Sequence, residues 1–82
     1  MQASAIQELI QQALPDAEVQ VHGADGVHFE ARVISPSFIG KSLIQQHRMV
    51  YAALGARIEN DEIHALALKT YTPESWQIAA DH

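Results

Sequence analysis

Residues 17–34 read AEVQVHGADGVHFEARVI, and this stretch alternates twice. Ala17, Val19 and Val21 fall on one side of an extended chain, with Glu18, Gln20 and His22 on the other. Gly23-Ala24-Asp25-Gly26 has turn chemistry. Beyond it Val27, Phe29, Ala31 and Val33 alternate with His28, Glu30 and Arg32. Two half-buried runs across a Gly/Asp turn predict a β-hairpin of residues 17–22 and 27–34. Opposed residues share a face, so Val21 is expected opposite Val27 or Phe29. His22 and His28 then sit diagonally in the first register and directly opposed in the second. In both, the two imidazoles lie on the polar face at the turn end.

Upstream, Ile6, Leu9, Ile10, Ala13 and Leu14 recur at helical spacing, which predicts a helix over Ser4–Leu14 that Pro15 stops. Ser4 and Gln7 have capping-box spacing at its start. Downstream, Ser35-Pro36-Ser37 breaks the second strand and Phe38-Ile39-Gly40 leads onward. Ser42 and Gln45 again have capping-box spacing. Leu43, His47, Val50, Tyr51, Leu54 and Ile58 lie on one face of a second helix, which Gly55 ends or interrupts. Residues 59–62 read as a polar loop, and Ile63–Tyr71 as a third strand with His64, Leu66 and Leu68 on one face. Pro73 suits the first turn of a short last helix through Trp76.

The order is α-β-β-α-β-α. A helix between the second and third strands implies a parallel pair with a right-handed crossover. If these strands are neighbours, both start at the same end of the sheet. His64 then comes near His28, and the hairpin brings in His22. Two or three imidazoles at one sheet edge follow from topology and register.

Length and composition bound the rest. The chain has 82 residues, 48% of them hydrophobic and 18% charged, which fits one folded domain and not a disordered segment. There is no cysteine, hence no disulfide framework, thiol nucleophile or thiolate metal site within the chain. That composition fits a reducing compartment. The first residues lack the pattern of a secretory signal, and no apolar run approaches the length of a membrane span, so no membrane is expected and the location is expected to be cytoplasmic. The net charge of −5 argues against strong nonspecific binding to nucleic acid. Yet residues 31–58 hold Arg32, Lys41, Arg48 and Arg57 and no acid.

Neutral imidazole ligates zinc, copper and iron, which makes His22, His28 and His64 the candidate metal ligands. The plainer alternative is two exposed polar side chains on a hairpin and one hydrogen-bonded histidine at a strand start. No H-E-x-x-H motif or dense carboxylate set supports a self-contained catalytic zinc site. His47 reads as a packed helical histidine and His82 as a frayed end. Gly40-Lys41-Ser42 resembles the end of a phosphate-binding loop, but Ser35 stands where that motif needs glycine. Glu59, Asp61 and Glu62 read as a solvated loop. Lys41, Arg48 and Arg57 are candidate phosphate contacts, or else the solvent side of an amphipathic helix, and no G-x-x-G pair accompanies them. With no nucleophile–base pair, an enzyme is the least supported class.

Phe38-x-Gly40, Gln46-His47-Arg48-Met49-Val50-Tyr51, Ile63-His64-Ala65-Leu66 and Lys69-Thr70-Tyr71-Thr72-Pro73 occur in the order seen in the BolA family. Over nearly its full length the chain resembles that family, nearest its short bacterial YrbA-like (IbaG-like) subgroup. The resemblance implies an α+β fold of class II KH-like topology, with a three-stranded mixed sheet and helices on one face. It also implies a partner. BolA-type proteins bind monothiol glutaredoxins as heterodimers and share a [2Fe–2S] cluster with them, in iron–sulfur trafficking or iron and stress regulation. The family's ligand histidine at the start of the last strand corresponds to His64. The second ligand comes from the region of His28 or, failing that, His22. A [2Fe–2S] cluster wants four ligands, usually thiolates. This chain offers two imidazoles at most, so a glutaredoxin cysteine and glutathione would supply the rest. A ligand histidine must be unprotonated, so such a cluster is expected to weaken as the pH falls through about 6.5, where an ordinary imidazole titrates. The competing expectation is a KH-like DNA-binding regulator using the basic stretch Arg32–Arg57.

Overall fold

The computed structural model describes residues 2–23, 25–26, 28–55 and 65–81. The expectations placed on Val27, Arg57, Ile58, the loop at 59–62, Ile63, His64 and His82 lie outside the described residues. Those residues form helix α1 (Ala3–Ala13), strands β1 (Glu18–His22) and β2 (His28–Ile34), a single 3-10 turn (Pro36–Phe38), helix α2 (Leu43–Leu54), strand β3 (Ala65–Tyr71) and helix α3 (Pro73–Ala80). The sheet order is β1-β2-β3, antiparallel between β1 and β2 and parallel between β2 and β3. This is the α-β-β-α-β-α mixed sheet that the alternation predicts. Among the described residues no helix is long and apolar enough to cross a membrane.

Burial follows the period of two. Val19 and Val21 of β1 and Phe29, Ala31 and Val33 of β2 are buried, and they meet Ile6 and Ile10 from α1, Leu14 just after it, and Val50 and Leu54 from α2. Each of the valine, leucine, isoleucine and phenylalanine side chains contributes about 1.5–3 kcal/mol when fully removed from water. Leu66 and Leu68 of β3 pack against the same core. α1 and α2 therefore cover one face of the sheet, as expected. α3 differs: its Trp76 lies over Arg32, which alternates onto the opposite face.

Three local expectations are corrected. The hairpin register is Val21↔Ala31 and His22↔Glu30, so the strands pair further from the turn than either anticipated register. At this end of the hairpin Asp25 accepts the backbone N–H of His28, and Phe29 lies against Gly23. The first helix starts at Ala3 after Gln2, with no side-chain cap, so Ser4 and Gln7 form no capping box. On α2 the buried stripe is Gln46, Val50 and Leu54, while Leu43 is 60% exposed and Tyr51 40% exposed. Gln46 is admitted to the core because both ends of its amide are satisfied. Thr70 Oγ1 donates to its Oε1 at 2.7 Å, and its Nε2 donates to the Lys41 carbonyl at 3.0 Å. The Ser42–Gln45 capping box does form, and α2 ends at Gly55 with φ of 55°, a conformation that favours glycine.

A buried corner fixes the exit of β2. Ser35, fully buried, donates from Oγ to Asp16 Oδ1 at 2.9 Å, and Ser37 Oγ donates to Asp16 Oδ2 at 2.8 Å. The Ser35 hydroxyl also accepts from the Ser37 backbone N–H, which starts the 3-10 turn.

Candidate functional site

The site starts from the hairpin connection. Asp25 Oδ1 accepts the backbone N–H of His28 at 2.8 Å, the local capture of a backbone donor that Asp favours in turns. Its other oxygen, Oδ2, lies 2.7 Å from His28 Nδ1. An ionised carboxylate only accepts, so in a neutral imidazole this contact favours the Nδ1–H tautomer, in which Nε2 carries the lone pair. A histidine whose second nitrogen is held by a carboxylate is the usual arrangement behind a metal-ligating imidazole. The His28 side chain is 73% exposed, so the contact orients the ring more than it stabilises the fold.

His22 is the last residue of β1 and faces the same side. Because it pairs with Glu30, His28 lies two residues further out along β2, on the diagonal. His22, Gly23, His28, Phe29, Glu30 and Ala67 line an open groove of about 340 Å³. Gly23 suits this place: a Cβ on it would collide with Phe29 Cδ1. Phe29 thus closes the floor of the groove and belongs to the core beneath it.

β3 joins from the other side. His28 pairs with Ala65 in the parallel register, so the two strands begin at the same end of the sheet, as the crossover argument requires. Ala65 is the residue that follows His64 in the chain, and His64 itself lies outside the described residues. The structure therefore brings His22 and His28 to one groove and the start of β3 alongside. Among the described residues no group of three or more His, Cys, Asp and Glu side chains is arranged to hold a metal ion.

The alternative basic surface is dispersed. Lys41 and Arg48 are exposed, before and on α2, and Arg57 lies outside the described residues. Exposed Ile39, Leu43 and Ile44 interrupt that surface. His47 packs on α2 with its Nε2 buried and unpaired among the described residues. Sequence reasoning missed Asp25 as the partner of His28, although an Asp three residues before a histidine across a glycine was a usable signal. It also missed the packing of Phe29 on Gly23, which no pattern of residue types encodes.

Comparison with known proteins agrees with this architecture. A model of the family described as BolA-like protein matches residues 5–75. The chain is 37% identical over 76 residues to the acid stress protein IbaG of Escherichia coli K12, covering 93% of this chain and 89% of that protein. A BolA homologue of known structure from Coxiella burnetii superposes with a TM-score of 0.81 at 42% identity, covering 94% of this chain and 97% of that one. The DNA-binding transcriptional regulator BolA of Escherichia coli K12 is 38% identical over 50 residues, which is 61% of this chain and 47% of that protein. With its mixed three-stranded sheet, its element order and this match over most of its length, the chain belongs to the BolA-like family.

Proposed function

We propose that this protein acts in the cytoplasm with a monothiol glutaredoxin and supplies imidazole ligands to a shared [2Fe–2S] cluster, for iron–sulfur trafficking or for iron and stress regulation. The observation that carries the reading is His28. Its ring is held through Nδ1 by Asp25, its Nε2 is left to ligate, and its backbone is in register with the residue joined to His64. His64 and His28 are the proposed ligands, and His22, in the same groove, is the reserve.

The donor set fits a shared cluster better than a resident one. Two imidazoles and no thiolate make half a coordination shell, so a cysteine of the partner and a glutathione thiol complete it. Imidazole in place of thiolate on one iron raises the reduction potential of such a cluster. The open groove leaves room for a second molecule to approach, and Asp25 holds the His28 tautomer that ligation needs. The relative from Escherichia coli is named for acid stress, and ligation by imidazole is sensitive to protons.

The test is reconstitution with a monothiol glutaredoxin, iron, sulfide and glutathione, with each histidine replaced in turn. H64A and H28A are expected to abolish or alter the visible spectrum of the heterodimer, and H22A to leave it. A spectrum and stability unchanged in H64A refute the ligand assignment. Size-exclusion with and without the cluster separates this reading from metal-free docking.

A second reading rests on Lys41 and Arg48, both exposed and neither paired with a carboxylate among the described residues. Duplex DNA titrated at two salt concentrations tests it, since each phosphate contact contributes a log–log salt slope of about −0.9. A flat salt response excludes it.

A further inference from the structure

The face of the sheet opposite α1 and α2 carries a second cluster beyond the His28–Asp25 pair. Arg32 of β2 is directly opposed to Lys69 of β3 on one side and to Gln20 of β1 on the other. Like charges opposed on one sheet face repel each other. Here they are only partly neutralised. Lys69 Nζ lies 3.6 Å from Glu30 Oε1, too long for a strong charge-assisted hydrogen bond, and both side chains are more than half exposed. Arg32 has no carboxylate partner among the described residues.

What holds Arg32 is aromatic. Its guanidinium carbon lies 4.3 Å from the centroid of the Trp76 ring, within cation–π range. Tyr71 meets Trp76 edge to face, with centroids 5.2 Å apart at 63°. A guanidinium engaged through its carbon over a ring still has N–H donors for a two-oxygen acceptor. Arg32, Lys69, Tyr71, Trp76, Gln20 and Glu30 line a cavity of about 250 Å³.

We propose that this cavity is a carboxylate-binding site, in which Arg32 takes the two oxygens as a fork and Lys69 adds a second donor. The charge balance selects the class of ligand. Two cations against one carboxylate, Glu30, leave one net positive charge, which a monoanionic carboxylate cancels and a phosphate dianion exceeds. The Trp76–Tyr71 pair positions Arg32 in advance, so little side-chain freedom is lost on binding. This cavity and the His28 groove share His22 and Glu30, so a ligand anchored at Arg32 can extend toward His28 along one face. The site needs no cluster and is tested on the iron-free chain, so its failure and that of the cluster reading are separate results.

Trp76 is the only tryptophan, so its fluorescence reports on this site directly. The probe is S-methylglutathione, which carries carboxylates and no free thiol, titrated against inorganic phosphate and potassium chloride at matched ionic strength. The carboxylate is expected to give a saturable change in emission, phosphate a weaker one and chloride none. R32Q is expected to raise the carboxylate midpoint about tenfold, since hydrogen bonds to charged groups are the stronger kind. Because R32Q alters the surroundings of the fluorophore, the backbone amide shifts of Lys69 and Glu30 give a second reading, and K69Q, expected to raise the midpoint several-fold, a second variant. No saturable change with the carboxylate, a midpoint unmoved in both variants, or tighter binding of phosphate overturns the proposal.

Discussion

Replacing Gly23 by alanine puts a methyl group where the ring of Phe29 already stands. An added Cβ would collide with Cδ1 and lie 2.5 Å from Cε1 and 3.2 Å from Cγ. Carbon atoms pack favourably at about 3.5–4.0 Å, so the first two contacts overlap by more than an ångström. Phe29 is only 3% exposed and its ring belongs to the core cluster, so it cannot swing into solvent without leaving a void. Overpacking of this kind costs about 1–3 kcal/mol. One opposing effect operates. Gly23 is not among the glycines with positive φ, so alanine is conformationally allowed there and narrows the unfolded ensemble, worth about 0.4–1 kcal/mol. The net expectation is a loss of about 0.5–2 kcal/mol. At about 4–8 °C per kcal/mol for a domain of this size, Tm falls by about 2–16 °C. Thermal melts followed by circular dichroism measure it. F29L makes a double-mutant cycle: with the ring gone, G23A is expected to cost less, with a coupling of at least about 0.5 kcal/mol. A G23A protein as stable as wild type, or a cycle without coupling, refutes the close approach.

Q46A strips the buried Thr70 hydroxyl and the Lys41 carbonyl of a partner at once, and urea unfolding is expected to show a loss of about 1–3 kcal/mol. S42A removes the capping hydroxyl of α2 and is expected to cost about 1 kcal/mol in the same assay. D25A frees the His28 ring and backbone N–H; in the reconstituted complex, chelator challenge is expected to show metal held about tenfold or more weakly, and unchanged resistance would contradict the orienting role of Asp25. Protons compete with iron for imidazole, so cluster absorbance is expected to be full near about pH 8 and to fall toward about pH 5. A complex equally stable at both would count against histidine ligation.

Much of the site was legible one element at a time. Alternation put His22 and His28 on the polar face, because side chains in a strand point to opposite sides with a strict period of two. The helix between β2 and β3 made those strands parallel, which put Ala65 beside His28. The absence of cysteine limited any iron–sulfur role to a partial ligand set. What was not legible depends on atoms from distant positions meeting. Trp76 reaches Arg32 only after α3 folds back beside the sheet, and Gln46 is buried only because Thr70, 24 residues away, answers its amide.

The amino-acid order alone set which segments become helices and strands, how they follow one another, and which side of each strand faces water. These rest on local periodicity and on where proline, glycine and the capping residues fall. The pairing register of the hairpin, the holding of His28 by Asp25 and the Arg32–Trp76 cation–π contact were decided in three dimensions. Each depends on how closely side chains approach, on the scale of an ångström, and that is set by the packing of the whole core rather than by any one stretch of the chain.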